Sequence, residues 1–322
     1  MTEPTRPLDG PNDAPTEPGG RTDRPHTGFI AIVGRPNVGK STLLNALVGE
    51  KVSITSRKQQ TTRQAVRGVL TRGTPPSPSQ FIFVDTPGMQ SRHRSELNRR
   101  MNQSIRAALA EVDAIVLVIE APRWTPDDET VLAVLPPPGG ASRVVLAINK
   151  TDLLKDRNAL LPLLADSARR YPFAALVPVS AEKSRQLEAL LDEVEKLLPE
   201  GEPLFDADAY TDRGVRFLAT ELIREKAFRL LGDELPYGIA VSLDQWQEDE
   251  SRVLIAVTLL VERDPHKAIV IGAGGAKLRE IGRLARVEIE KMLGKPVFLE
   301  THVRARRGWR DSASDLKSLG YE

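Results

Sequence analysis

The sequence predicts an α/β domain, with a mostly parallel sheet covered by helices on both faces, followed by a smaller α+β domain. Three observations carry this. From Gly28 to about residue 200, short apolar strands alternate with helical stretches, the pattern of a buried parallel sheet. A segment rich in Pro, Gly and acidic residues, Pro199–Asp212, then interrupts it. Beyond that segment the elements read helix, strand, strand, helix, helix, strand. A chain of 322 residues, at roughly 150 per domain, suits two domains. The predicted divisions are a tail at 1–27, a first domain at 28–200, a linker at 201–213 and a second domain at 214–322.

Residues 1–27 are dominated by Pro, Gly, Thr and charge, with one Leu. Such a segment cannot bury enough apolar surface to offset its ordering entropy, so it reads as a disordered tail. Phe29–Val33 is a short buried strand running into Gly34, and apolar stretches follow at Phe81–Val84, Ala114–Ile119, Val144–Ile148 and Ala174–Val179. The clearest helix is Gln186–Leu198, where Leu187, Leu190, Leu191, Val194, Leu197 and Leu198 share one face. The proline-rich stretches Gly73–Ser79 and Pro136–Gly140 read as surface connections. In the second half, a helix is expected over about Val215–Leu231 and strands over about Ile239–Gln247 and Arg252–Glu262. Two helices then flank Gly272–Gly275, the second being Ala276–Leu293. A strand near Pro296–Arg304 and a short helix near Asp311–Leu319 close the chain.

Composition removes several classes of function. There is no Cys, which excludes a disulfide scaffold, an iron–sulfur protein, a Cys-ligated zinc site and a cysteine nucleophile. The four His (His26, His93, His266, His302) show no metal-ligand spacing. Apolar runs such as Val253–Val261 are strand-sized, far from the roughly 20 residues of a membrane span. The first residues are polar, without an apolar leader, so a cytoplasmic location is expected. With 45 basic and 44 acidic side chains, net charge alone says little about partners.

Gly34-Arg35-Pro36-Asn37-Val38-Gly39-Lys40-Ser41-Thr42 has the spacing of a phosphate-binding loop, placed between a strand and a helix. Its backbone N–H groups and the helix N-terminus attract phosphate. Lys40 reaches the β- and γ-phosphates, and Ser41 is positioned to ligate Mg²⁺. Asn149-Lys150-Thr151-Asp152 follows a strand and selects the base. The Asp152 carboxylate can accept from both N1–H and the 2-amino group of guanine, a donor pair that adenine lacks. Asp85-Thr86-Pro87-Gly88 follows another strand. There Asp85 would hold Mg²⁺ through water, and the Gly88 N–H would approach the γ-phosphate. Ser180-Ala181-Glu182 offers backbone N–H to the guanine oxygen. GTP and GDP are therefore the expected ligands.

These motifs, in this order, resemble the Era-like family of translation-factor-related P-loop GTPases. The matching residues include GRPNVGKSTLLNAL at 34–47, SITSRKQQTTR at 53–63, DTPG at 85–88, RWTPDDE at 123–129, NKTD at 149–152, SAE at 180–182 and TDRGVRFLATELIREK at 211–226. The likeness runs from residue 28 to about 321. It implies a switch I at about Val52–Arg67, in which Thr61 or Thr62 ligates Mg²⁺ and senses the γ-phosphate, with Thr62 favoured. Ras-like GTPases carry a water-orienting Gln where Met89 stands here, and Gln90 is one residue out of register. An apolar side chain cannot orient water, so slow intrinsic GTP hydrolysis is expected. Asn37 matches an asparagine that helps related GTPases bind K⁺; the alternative is that it caps the loop.

In the second domain, Ile271-Gly272-Ala273-Gly274-Gly275 sits between two helices of an αββααβ order. That arrangement resembles the type II KH fold, whose glycine loop clamps single-stranded nucleotides, with Ile269, Val270 and Ile271 expected to support a groove for the bases. Asp233–Glu262 holds one basic and seven acidic residues, whereas Arg263–Arg310 holds twelve basic and five acidic. The basic half includes Lys267, Lys277, Arg279, Arg283, Arg286, Arg304, Arg306, Arg307 and Arg310, and attracts phosphate. Ala273 and Gly274 depart from the polar or basic pair usual in the family. Trp309 reads as a buried residue packing the tail, the other reading being a stacking platform. The resemblance further implies a monomer that binds the 3′ end of 16S rRNA in 30S ribosomal subunit assembly, with peripheral membrane association. A Der-like ribosome-assembly GTPase, or an RNA-binding scaffold with little hydrolysis, is the alternative. A P-loop kinase or ATPase is disfavoured by Asn149 and Asp152.

Overall fold

The computed structural model describes residues 24–56, 58, 61–73, 77–89, 95–137, 143–232 and 235–321. Most of the predicted tail, parts of both proline-rich connections and Gln90 lie outside the described residues.

The first domain is a six-stranded sheet in the order β2-β3-β1-β4-β5-β6. Its strands are β1 (Thr27–Val33), β2 (Val66–Arg72), β3 (Ser79–Asp85), β4 (Ala114–Glu120), β5 (Val144–Asn149) and β6 (Ala175–Pro178). All neighbours are parallel except β2, which runs antiparallel to β3. The central strands are apolar on both faces because both are covered. On one side Ile30, Ile32 and Val116 pack against α1 (Lys40–Val48) and α5 (Leu187–Glu195). On the other, Ala31, Val33 and Ile115 meet α2 (Glu96–Glu111), α3 (Pro126–Leu132) and α4 (Leu160–Arg170). The C-terminal ends of β1, β3, β5 and β6 thus meet on one edge, where such sheets bind ligands.

The second sheet has the order β7-β8-β9: β7 (Ala240–Glu248) antiparallel to β8 (Val253–Val261), and β8 parallel to β9 (Val297–Ala305). With α6 (Val215–Leu230), α7 (Asp264–Ile271) and α8 (Ala276–Leu293), the observed order is αββααβ. Alternate residues of β8, from Val253 to Val261, pack under α6 and α8. On the opposite face Ala240 and Leu260 pack with Trp309, Leu316 and Tyr321 of the C-terminal segment and with Leu97 and Met101 of α2. That segment contains a last short helix, α9 (Ala313–Ser318). Trp309 is fully buried, so the stacking-platform reading is withdrawn. Val270 is likewise buried in the core, which removes it from any groove for bases.

Residues 201–213 are tied to the first sheet. Gln80 of β3 donates to the Phe205 carbonyl and accepts from the Leu204 and Phe205 amides, while Thr211 bridges to Gly68. At the other end, Arg24 pairs with Glu200 and His26 forms a bridge with it, so residues 24–27 belong to the ordered first domain. Among the described residues no helix is long and apolar enough to cross a membrane.

Candidate functional site

A cleft of about 810 Å³ opens at the ligand edge of the first sheet. The loop after β1 forms its floor. Gly39 adopts φ +100°, and a Cβ there would lie 2.4 Å from Asn149 Nδ2, so only glycine fits between the phosphate loop and the base-reading loop. Lys40 opens α1. It is buried, and its Nζ donates to the Gly34 and Arg35 carbonyls at 3.0 and 3.1 Å. Burial lowers its pKa to about 8, against the upward pull of Asp85.

Three hydroxyls converge on Asp85. Its Oδ2 accepts from Ser41 at 2.7 Å, Ser53 at 2.9 Å and Thr62 at 3.2 Å, and Ser41 and Thr62 lie 2.9 Å apart. Burial pushes the Asp85 carboxyl up, with Lys40 and the hydroxyls opposing it. Its Oδ1 is buried without a hydrogen-bond partner. Ser41, Thr62 and Asp85 form a hard-oxygen set with an unsatisfied carboxylate oxygen. This fits Mg²⁺, which takes a few protein oxygens, keeps several waters and adds substrate phosphates. Among the described residues no group of three or more His, Asp or Glu forms a closed metal cage. Thr61 also lines the cleft, but its hydroxyl donates to the Lys58 carbonyl and not to Asp85.

The base-reading side is stapled by Asn149. Its Nδ2 donates to the Val38 carbonyl and its Oδ1 accepts from the Ala181 amide. Ser180 donates to Asp152 Oδ1 at 2.5 Å, orienting the carboxylate. Lys150 is left-handed at φ 62° and pairs with Glu120 at 3.0 Å. Gly88, Lys150, Asp152, Ala181 and Glu182 all line the cleft. Asn37, also left-handed and exposed, lines it as well. Met89 is half-buried against the core between the first sheet and α2, α3 and α4.

Several contributors were absent from the motif reading. Glu120 holds Arg35 and Lys150 together. Asp128 forms a capping box with Thr125 and pairs with Arg35; the string RWTPDDE was the available signal. Arg229 and Lys58 reach the cleft from α6 and switch I.

The glycine loop of the second domain lies between α7 and α8. Gly272 has φ +73°, and a Cβ there would sit 2.8 Å from Lys277 Cβ. Arg279 folds back beside Gly275. Of the basic residues counted above, Arg283, Arg286, Arg306 and Arg310 are engaged by Glu280, Glu290, Asp315 and Glu262. Lys267, Lys277 and Arg279 have no ion pair with a described residue. Arg304 and Arg307 also lack an ion pair with a described residue, so the loop's three cations are part of a wider set of uncompensated positive charge. Ile269 is exposed and Ile271 half-buried.

Comparison with known proteins agrees with both halves. A family model described as 50S ribosome-binding GTPase matches residues 29–150, and a KH domain model matches residues 234–310. The chain is 52% identical over 296 residues to a GTPase Era of Bordetella avium, covering 92% of this chain and 98% of that protein. It is 49% identical over 302 residues to a GTPase Era of Xanthomonas oryzae, covering 94% and 99%. The structure matches an Aquifex aeolicus Era variant bound to GDP and AlF4⁻ with a TM-score of 0.87 at 39% identity, covering 92% and 99% of the two chains. It matches equally well a structure of Era in complex with MgGDPNP and nucleotides 1506–1542 of 16S ribosomal RNA.

Proposed function

The chain belongs to the Era family of GTPases, and from that premise we propose that its GTP hydrolysis is coupled to binding of the 3′ end of 16S rRNA during 30S subunit assembly. The observation that carries the coupling is the convergence of Lys40, Ser41, Thr62, Asp85 and Asp152 on one cleft whose rim also includes Arg229 of the second domain. A relative solved with 16S rRNA nucleotides, alike over nearly the whole chain, supports the RNA target.

In this reading Asp152 accepts from guanine, Asn149 holds the two loops, and Ala181 with the neighbouring Ser180 and Glu182 borders the base. The amides of Asn37, Val38, Gly39, Lys40, Ser41 and Thr42 wrap the phosphates. Ser41, Thr62 and Asp85 would hold Mg²⁺, which would supply positive charge against the phosphates. Lys40 stabilises the charge that builds on the phosphates, the larger part of such catalysis. Gly88 brings its N–H to the γ-phosphate. Asn37 takes part in a K⁺ site, open as it is to the cleft. The half-buried Met89 cannot orient water, so the intrinsic rate is slow. Gly272–Gly275 admits the RNA backbone, and Lys267, Lys277 and Arg279 supply its countercharge.

The test is a titration of the GTP-analogue-bound and GDP-bound protein against a labelled oligonucleotide of the 16S 3′ end and a scrambled control. Tight, sequence-dependent binding in the GTP form alone is expected. Equal weak binding to both oligonucleotides in both states would refute the coupling.

A further inference from the structure

Arg63 follows Thr62 directly, yet its buried side chain is enclosed by the second domain. Its guanidinium carbon lies 5.5 Å from the ring centroid of Phe228, 5.7 Å from Trp309 and 5.9 Å from Tyr321. Its Nη1 donates to the Ile239 carbonyl at 2.6 Å and approaches the Tyr321 hydroxyl at 3.4 Å. Phe228 belongs to α6, Ile239 precedes β7, and Trp309 and Tyr321 belong to the C-terminal segment. A guanidinium enclosed by three rings and a carbonyl has little freedom to move. The same segment grips the helix that follows Asp85–Gly88. Asp311 accepts from the Glu96 amide, the Tyr321 carbonyl accepts from Arg100, and Leu97 and Met101 pack with Trp309 and Leu316.

We propose that Arg63 is a positioning residue for GTP hydrolysis: caged by Phe228, Trp309 and Tyr321, it holds Thr62 against Ser41 and Asp85, making the C-terminal segment part of the hydrolytic apparatus. Consecutive Cα atoms are fixed ~3.8 Å apart, so anchoring the Arg63 side chain restricts where the Thr62 hydroxyl can stand. Displacement by about 1 Å is enough to cost on the order of 100-fold in rate. Arg63 touches neither nucleotide nor metal in this role. The proposal rests on Thr62 as the metal-contacting threonine.

The test uses the full chain with Mg²⁺ and three variants, Arg63→Met, Tyr321→Ala and Thr62→Val. Arg63→Met and Tyr321→Ala should each lower kcat at least tenfold, raise the Mg²⁺ concentration for half-maximal hydrolysis, and leave GDP affinity within twofold. Tyr321→Ala removes one wall of the cage and leaves Arg63 itself in place, so it decides the matter if Arg63→Met does not fold. A readout apart from turnover is Trp309 emission in a Trp124→Phe, Trp246→Phe background. It should differ between the Mg²⁺–GTP-analogue and GDP states and lose that difference in Arg63→Met or, if that variant does not fold, in Tyr321→Ala. A kcat within twofold of the parent in a folded cage variant, a parallel loss of GDP affinity, or identical Trp309 emission in both states overturns the proposal. Full activity in Thr62→Val would sink the threonine's role and this inference together. Loss there with full activity in Tyr321→Ala would sink this inference alone.

Discussion

Lys40 is the residue whose chemistry is most exposed to measurement. Burial brings its pKa down to about 8, and a bound triphosphate favours the ammonium form. Below pH 8 the lysine is already charged and nucleotide affinity is flat. Above it, binding must take up a proton, so affinity falls by at most about tenfold per pH unit. Calorimetry near pH 8.5 in two buffers of different ionisation enthalpy should register that uptake, and its absence would contradict the assignment. Asp152→Asn places an amide where guanine presents two donors, so GTP affinity should fall by on the order of 100-fold or more; fluorescent-nucleotide competition reads it. Both residues were legible in the sequence because each stands in a short motif behind a strand. Ser53 on Asp85 and Glu120 on Arg35 were not, since those contacts join positions 32 and 85 residues apart. Arg63 was equally silent, for its partners Ile239 and Tyr321 lie 176 and 258 residues away.

At the scale of elements, the glycine loop carries the most direct prediction. Gly272 and Gly275 have positive φ and crowded Cβ positions, and Gly274 has φ +54°, so Ala273 is the loop position that accepts a side chain without strain. Ala273→Lys should raise RNA affinity several-fold and steepen the salt dependence by about one counterion. Filter binding at two or more salt concentrations checks it, and an unchanged slope would show that the loop does not meet phosphate. Most elements were readable from periodicity: α8 has its predicted bounds, and β7, β8 and β9 lie within a residue or two of theirs. β2 was hidden. It starts within the stretch expected as switch I and runs beyond it, and a Cβ on its Gly68 would come 2.6 Å from Leu44 Cδ1, so glycine is what lets α1 press on the sheet edge. The order of α6 was only half legible. Its span was expected, but nothing in the sequence marked the consecutive charges Arg224, Glu225 and Lys226 as interior, and all three are buried.

Those buried charges decide how the two halves behave as one molecule. Glu225 is buried, and its carboxylate accepts from Lys226, from Lys51 of the first domain and from the Thr55 amide; Glu288 accepts from the same two lysines. Burial alone would raise the Glu225 pKa, but the hydrogen bonds from Lys226 and Lys51 hold it down at about 2. A depressed carboxylate contributes stability that is fully present above its ordinary pKa of 4.5 and lost as pH falls toward about 2. At ~1.36 kcal/mol per unit this shift is worth roughly 3 kcal/mol. Removing the charge while keeping the shape leaves buried Lys226 to share Glu288 with Lys51, a loss that approaches the about 3–5 kcal/mol for breaking a buried pair outright. Glu225→Gln should therefore lower denaturant stability by that order at pH 7 and flatten the decline between pH 4.5 and 2. If the cluster joins the domains, the same variant should enlarge the radius of gyration in small-angle scattering at neutral pH, as acid does in the parent. Lost stability with unchanged scattering would mean that the aromatic cage around Arg63, not this ion cluster, holds the halves together.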